Sequence, residues 1–408
     1  MTEAIENRKP SRDSESRHGP PAAKLWLRRL QLSNFRCYGE AILETDARPV
    51  VLSGPNGAGK TNLLEAISFL APGRGLRRAR LSEVDRQNGN AAGPWAVAAE
   101  VMTEAGSRRL GTGRDGDAEA EGARERRLVK LDGEFARSQQ SLGEVVSLVW
   151  LTPQMDGLFR DGAAGRRRFL DRLVYGFDPG HAGRLTAYEH ALRERARLLK
   201  SGAGDAAWLD ALEESMAGRA VALAAARLAM VARLNEACEL STGPFPKVGL
   251  ALVGEVEDWL EGLPALDVEE RLRARLRDGR PRDAERGGAS IGPQHSDLAA
   301  QHLDRELPAA LCSTGEQKAL TVALVLAHAR LLTLERGHAP LLLLDEIAAH
   351  LDETRRRALF EEILALAAQA WMSGTDASLF APLAEQAQFV CVADGALSVA
   401  GGYDPEIH

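Results

Sequence analysis

The chain has 408 residues, of which 45% are apolar and 27% charged. Those proportions exclude a wholly disordered chain, a collagen and a disulfide miniprotein, and the length suits two or three domains. Acids outnumber bases 58 to 51, for a formal net charge of -7, so any nucleic-acid contact has to come from a local basic patch.

Residues 1–24 are polar, charged and interrupted by paired prolines, and they read as a disordered tail rather than a secretory leader. Strands are expected at 25–32, 41–45 and 49–52, the last running into a glycine-rich loop. A helix follows over 61–70, carried by Leu63, Leu64, Ile67 and Leu70 and stopped by Pro72-Gly73. Further strands are expected at 95–101, 108–111, 127–131 and 145–151, with a mobile hairpin loop over 111–127. From 166 to about 277 the texture is helical, with one long amphipathic helix over 206–240 marked by Trp208, Leu209, Leu212, Met216, Val221 and Leu228. Residues 278–290 read as a loop. A helix over 316–334, a strand over 341–344, a helix over 354–368 and strands over 370–372, 389–392 and 396–399 complete the chain. The expected class is α/β, divided into a tail (1–24), the N-terminal part of an α/β lobe (25–156), a helical lobe (157–290) and the C-terminal part of the α/β lobe (291–408).

No stretch approaches ~18 unbroken apolar residues, so no membrane span is expected. The four cysteines, Cys37, Cys238, Cys312 and Cys391, form no C-x-x-C pair, which suggests neither a zinc site nor a redox pair. Scattered thiols fit a reducing, cytoplasmic setting.

The chemistry starts at Gly54-Pro55-Asn56-Gly57-Ala58-Gly59-Lys60-Thr61, which fits G-x-x-x-x-G-K-[ST] between a strand and a helix. Glycines let such a loop turn several N–H groups inward, and the helix N-terminus adds positive potential, so phosphates are held there. Lys60, one of only seven lysines, is placed to reach the β- and γ-phosphates of ATP, Thr61 to ligate Mg²⁺, and Asn62 to complete the first turn. Four leucines, Leu341 to Leu344, precede Asp345-Glu346. Such a run suits a strand buried on both faces, with its acids at the carboxyl edge where nucleotide sites lie. Asp345 is expected in the Mg²⁺ shell, and Glu346 is expected to polarise the attacking water.

Ser313-Thr314-Gly315-Glu316-Gln317 opens the helix before that strand. It reads equally as an N-cap with Glu in the first turn and as a form of LSGGQ, the signature of ABC-type ATPases. The latter resemblance implies an ATPase head of mixed sheet with a helical second lobe. In that class Ser313 and Gly315 would meet the γ-phosphate held by a second subunit. Asp352, in His350-Leu351-Asp352, would stand in the D-loop, and Gln154 would be the glutamine that touches both Mg²⁺ and water. No histidine follows the strand at 370–372; Thr375 is the candidate in its place.

The resemblance narrows. Leu30-Gln31-Leu32-Ser33-Asn34-Phe35-Arg36 is similar to the opening strand of SMC-type and RecF ATPases. Gly59–Ile67 is close to the RecF form of the loop and helix. Arg167-Arg168-Phe169-Leu170-Asp171 matches the family's R-R-x-F-L-D. Gly292-Pro293-Gln294-His295-Ser296-Asp297-Leu298 resembles G-P-H-R-D-D-L with three changes, Gln294 and His295 replacing His and Arg. Ser313–Lys318 resembles S-x-G-Q-Q-K. Against a transporter stand the N-F-R opening and the missing switch histidine. Against an SMC protein stands the mere 120 or so residues between the two halves, too few for a long coiled coil. A purely structural module would not need Glu346.

Resemblance to the RecF family implies a weak ATPase that dimerises on ATP and binds DNA at gaps and single-strand/double-strand junctions. The family acts with RecO and RecR to help load RecA in gap repair and SOS induction. Arg160, Arg166, Arg167, Arg168 and Arg172 form one candidate DNA-contact group, and Arg193, Arg195, Arg197 and Lys200 a second; pairing to helix acids or a structural role is the alternative for both.

Overall fold

Alternating side chains of one strand project to opposite faces, so four consecutive leucines need an apolar layer on each side. The computed structural model, which describes residues 23–86, 93–116, 125–202 and 205–400, provides both layers. Strand Leu341–Leu344 is buried throughout. It sits in a six-stranded sheet whose order is 396–400, 388–393, 50–53, 370–373, 341–344, 148–151. Neighbouring strands are parallel except for the antiparallel edge pair formed by 388–393 and 396–400. Leu341 and Leu343 point into one core with Leu63, Leu64 and Ile67 of helix Lys60–Ser68. Leu342 and Leu344 point into the other with Leu320 and Leu324 of helix Thr314–Arg336 and with Leu359 and Ile363 of helix Glu353–Ala365.

The first core is closed by a second, antiparallel sheet. Its order is Tyr38–Glu44, Trp26–Phe35, Ala96–Thr103, Gly106–Arg114, Arg127–Leu131, Glu134–Phe135. Gln369 joins the two sheets. Its side chain accepts from the Leu27 amide at 2.8 Å and donates to the Asp46 carbonyl at 2.7 Å.

The other core includes Phe169, Leu170 and Leu173 of helix Ala163–Tyr175 and Met230, Val231 and Leu234 of helix Ala206–Glu239. The distal half of that long helix packs in a third cluster with Tyr188 of helix His181–Ser201 and with Val268, Leu272 and Leu276 of helix Ala265–Asp278.

Several expectations need correction. Residues 166–277 are mainly helical as expected, with one strand that was not: Val248–Val253 pairs antiparallel with Asp297–His302, and two-residue strand Leu307–Pro308 completes that sheet. The loop expected over 278–290 contains helix Arg280–Arg286. Its Asp283 is buried and accepts from Arg195 at 2.8 Å and from the Ser290 amide at 3.0 Å. Trp208, expected in the core, is 56% exposed at the start of its helix. Of the loop expected over 111–127, strand Gly106–Arg114 takes the beginning and 117–124 lie outside the described residues. Residues 1–22 of the expected tail also lie outside them, whereas Ala23 is buried and Lys24 pairs with Glu104 at 2.7 Å.

Two helices among the described residues, Ala206–Glu239 and Thr314–Arg336, are long and apolar enough to cross a membrane, which counting unbroken runs overlooked. Half and 72% of their most apolar stretches are buried inside the protein, as in core helices.

His328 of helix Thr314–Arg336 clamps that helix to helix Ala163–Tyr175. It is buried, and its Nε2 donates to the Leu173 carbonyl at 2.8 Å while Nδ1 has no partner. Burial pushes its pKa down from 6.5 to about 4, because a second proton would leave a charge and a donor unmet. The unfolded chain therefore binds this proton first, and stability is lost as pH falls from 6.5 towards 4. At pH 5 the loss from this one group is about 2 kcal/mol. His328→Gln, which keeps a donor, should shrink the fall in unfolding free energy between pH 7 and pH 5 by about that amount. Equal falls in both proteins, measured by urea unfolding, would contradict the clamp.

Candidate nucleotide site

The loop Gly54–Gly59 links strand Val50–Ser53 to helix Lys60–Ser68. Two of its glycines are required sterically. Gly54 has φ 143°, and a Cβ there would lie 2.2 Å from the Val392 carbonyl oxygen. Gly59, at the helix N-cap, has φ 118°, and a Cβ would lie 2.8 Å from both Cys37 Sγ and Tyr38 Oη. No side chain caps this helix, so its first N–H groups point into the loop. Pro55, Asn56 and Gly57 are exposed along the rim, and Ala58 is buried beneath.

Lys60 is 6% exposed and donates to the carbonyls of Gly54 at 2.6 Å and Pro55 at 2.9 Å, arching along the loop. Burial draws its pKa below the ordinary lysine range, while Glu346 and Asp345 oppose that shift. A short, positively charged donor thus faces two acids across the loop.

Asp345 follows Leu344 at the carboxyl edge and is 4% exposed. Its Oδ1 accepts from Thr61 Oγ1 at 3.1 Å and from Ser373 Oγ at 2.6 Å. Ser373 Oγ also accepts from the Glu346 amide at 2.9 Å. That bond holds Glu346 at φ 51°, a left-handed conformation that costs a non-glycine residue about 1 kcal/mol or more. Ser373 was not anticipated; its signal was a polar residue ending the apolar run 370–372.

Thr61 and Asp345 fit Mg²⁺. Neighbouring ligand oxygens of an octahedral shell with 2.0–2.1 Å bonds stand about 2.9 Å apart, close to the spacing found here. No cluster of three or more His, Cys, Asp or Glu suited to a metal occurs among the described residues. That agrees with an ion held largely by phosphate and water.

Gln154 is exposed in the turn Pro153–Met155, directly after strand Leu148–Leu151, which neighbours the Asp345 strand. It therefore opens on the same sheet edge. Thr375 is exposed two residues beyond strand Ala370–Ser373. Asp352 is the N-cap of helix Glu353–Ala365 and accepts from the Arg355 amide at 2.9 Å.

Ser313 caps helix Thr314–Arg336 in a reciprocal box with Glu316. Its amide donates to Glu316 at 2.9 Å, and Arg305 pairs with the other carboxylate oxygen at 2.5 Å. Ser313 and Gly315 are exposed, and nothing lies within 4 Å of a Cβ at Gly315. The cap and an outward-facing signature coexist, since the cap leaves this face open.

The family-like motifs outside the loop tie elements together. Arg36 meets the buried Glu65 carboxylate with two bonds of 2.9 and 2.8 Å, and Arg77 joins them at 3.3 Å. Arg166 grips Asp297 with bonds of 2.7 and 2.8 Å, and Arg167 donates to the Ser296 carbonyl at 2.6 Å. Asp171 accepts two bonds from Arg227, at 2.8 and 2.9 Å, and one from His181.

These contacts draw Arg166, Arg167, Arg172 and Arg195 out of the two groups expected to meet DNA, and leave Arg160, Arg168, Arg193, Arg197 and Lys200 exposed. Arg166 and Arg167 are engaged with 296–297, and Arg172 lies over the Trp150 ring. Arg195 is 1% exposed between Glu213 and Asp283. Arg193 pairs with Glu189 and Arg197 with Glu194 on their own helix.

Lys60→Ala removes the cation aimed along the loop. Its ATP affinity, measured by equilibrium fluorescence titration, should fall about 10- to 100-fold. Near-parental affinity would remove Lys60 from the site.

Comparison with known proteins agrees with this geometry. Residues 26–393 match the RecF/RecN/SMC N terminal domain family. The chain is 48% identical over 377 residues to the DNA replication and repair protein RecF of Rhizobium meliloti (strain 1021), covering 92% of this chain and 99% of that protein. It is 49% identical over 375 residues to the RecF protein of Brucella suis biovar 1 (strain 1330), covering 91% and 96%. Its fold superimposes with a TM-score of 0.80 on the recombination mediator protein RecF-ATPrS in the RecFOR pathway, at 21% identity, covering 94% of this chain and all of that one. An Smc head domain with an extended coiled coil from Pyrococcus furiosus superimposes at 0.52, with 17% identity and coverage of 94% and 97%. The chain has the ABC-type ATPase head fold of the SMC group and belongs to the RecF family of DNA replication and repair proteins.

Proposed function

We propose that this protein is an ATP-controlled DNA-binding switch of gap repair. ATP with Mg²⁺ binds at residues 54–62. Lys60 neutralises the β- and γ-phosphates, while Thr61, Asp345 and Gln154 hold the ion. Glu346 orients and polarises the attacking water, and Gln154 assists it. Hydrolysis is slow and DNA-stimulated. Two copies close on ATP, with Ser313, Gly315 and Asp352 of each meeting the nucleotide of the other, and the ATP-bound dimer holds DNA at gaps and single-strand/double-strand junctions. It works with RecO and RecR to help load RecA, in recombinational repair and SOS induction. Residues 25–156 and 291–408 make up the ATPase lobe, and 157–290 the helical one.

The observation that carries this reading is the hydrogen-bonded chain from Thr61 through Asp345 and Ser373 to Glu346, set opposite Lys60. It gathers Thr61, Asp345, Glu346 and Lys60, the residues this reading needs, at one sheet edge. The relatives add support, being named for DNA replication and repair, and a neighbour of like fold is described as RecF-ATP in the RecFOR pathway.

The test is gel-shift binding to gapped, duplex and single-stranded DNA, with and without ATP. ATP should tighten binding to gapped DNA above the other two. Glu346→Gln keeps the shape of the side chain and loses the base, so its hydrolysis should drop about 100-fold or more while its ATP-dependent DNA complex persists. Parental hydrolysis in this variant, or DNA binding indifferent to ATP, would refute the reading.

A further inference from the structure

The loop lysine has a counterpart within electrostatic reach of the same acids. Lys318 lies five residues after Ser313 in helix Thr314–Arg336 and is 3% exposed. Its Nζ makes no hydrogen bond, and its ion-pair partner is Asp156 Oδ2, at 3.6 Å. Asp156 closes the turn that carries Gln154, its amide donating to the Pro153 carbonyl at 3.0 Å. A buried ammonium thus meets a part-exposed carboxylate at a distance slightly too long for a hydrogen bond, and the second oxygen of that carboxylate is buried without a partner.

The acids acting on Lys318 are Asp156, Glu346 and Asp345, in that order of effect. They come from the Gln154 turn and from the end of strand Leu341–Leu344. The helix that carries Lys318 begins at the exposed Ser313. The ammonium therefore links two pieces of the site, the helix of the outward-facing signature and the turn of Gln154, within electrostatic reach of the strand end of Glu346. A stability role explains this poorly, because a long, unbonded ion pair with a part-exposed carboxylate contributes little. Buried polar atoms left without partners point to a position held for another purpose.

We propose that Lys318 is a positioning residue for hydrolysis: its ammonium, paired with Asp156, ties the Ser313 helix to the Gln154 turn, so that a second copy of the chain docking at Ser313 sets the catalytic geometry. This rests on the nucleotide-binding reading of the loop. Moving a reacting group by about an ångström costs on the order of 100-fold in rate, so a small shift of this turn suffices.

The test uses the full chain with Lys318→Met, Lys318→Arg, Asp156→Asn and the Lys318→Met/Asp156→Asn double variant. Three quantities are read: ATP affinity with Mg²⁺, the single-turnover hydrolysis rate and the thermal midpoint. Lys318→Met and Asp156→Asn should keep affinity within about threefold of the parent and lose about tenfold or more in rate. The double variant should lose no more than either single one, because the two act as a unit. Lys318→Arg should recover the rate to within about threefold. Parental turnover in Lys318→Met, affinity and rate falling together, or independent losses in the double variant would overturn the proposal. Should Lys318→Met fail to fold, Asp156→Asn changes charge at constant volume and carries the same expectations. A parent chain that binds no ATP would defeat the nucleotide reading and this proposal together, whereas normal binding in the parent confines any failure to Lys318.

Discussion

The site depends on one buried carboxylate. Asp345 is buried inside the protein, where a polar group without partners is costly. It accepts hydroxyls from Thr61 and Ser373 while Lys60 stands nearby. Those partners belong to the loop helix and to the adjacent strand. One interaction therefore fixes the loop, the strand end and, through Ser373, the backbone of Glu346. The left-handed turn at Glu346 is held by this network, which lets the side chain stand off the sheet edge beside the loop.

The fold brings these parts together by burying the central strand on both faces. The alternating leucines of 341–344 divide between two cores. The core with the antiparallel sheet fixes the loop helix; the other fixes the signature helix and the layer of helix Ala163–Tyr175. Arginine–carboxylate forks then set the register of the connections: Arg36 with Glu65, Arg166 with Asp297 and Arg227 with Asp171. Such planar, two-bond contacts suit arginine better than lysine, so several arginines here serve architecture. The same division of labour leaves Lys60 and Lys318, the two buried lysines among the described residues, each within electrostatic reach of Asp345 and Glu346.

What was legible in the sequence was mostly local. The glycine loop, the leucine run and the capped signature helix each carry their own pattern within a dozen residues. Strand Val248–Val253 was not legible, because it is six residues long inside helical texture and its partner lies some fifty residues away. Helix Arg280–Arg286 was hidden by its charge and flanking glycines; the buried Asp283–Arg195 pair overrides weak local preference. Arg195 itself offered a signal that was missed. Tyr188, Ala191 and Arg195 are the buried residues on one face of their helix, at helical spacing, so the arginine shares the core-facing stripe and not a DNA-facing one. The Lys318–Asp156 pair could not be found from local pattern, since it joins a helix and a turn that meet only in the folded chain.

The central claim is that this edge binds ATP and that Ser313 completes the site of a second copy. Sedimentation equilibrium tests it most directly, with the parent and Ser313→Arg, each with and without ATP and Mg²⁺. Loss of the cap costs about 1 kcal/mol, so folding of the variant is verified in the same samples. The parent should sediment near its 44.0 kDa chain mass alone and near twice that mass with ATP, whereas Ser313→Arg should bind ATP and stay at the chain mass. A parent that remains monomeric at saturating ATP, or a variant that still dimerises on ATP, would contradict the account.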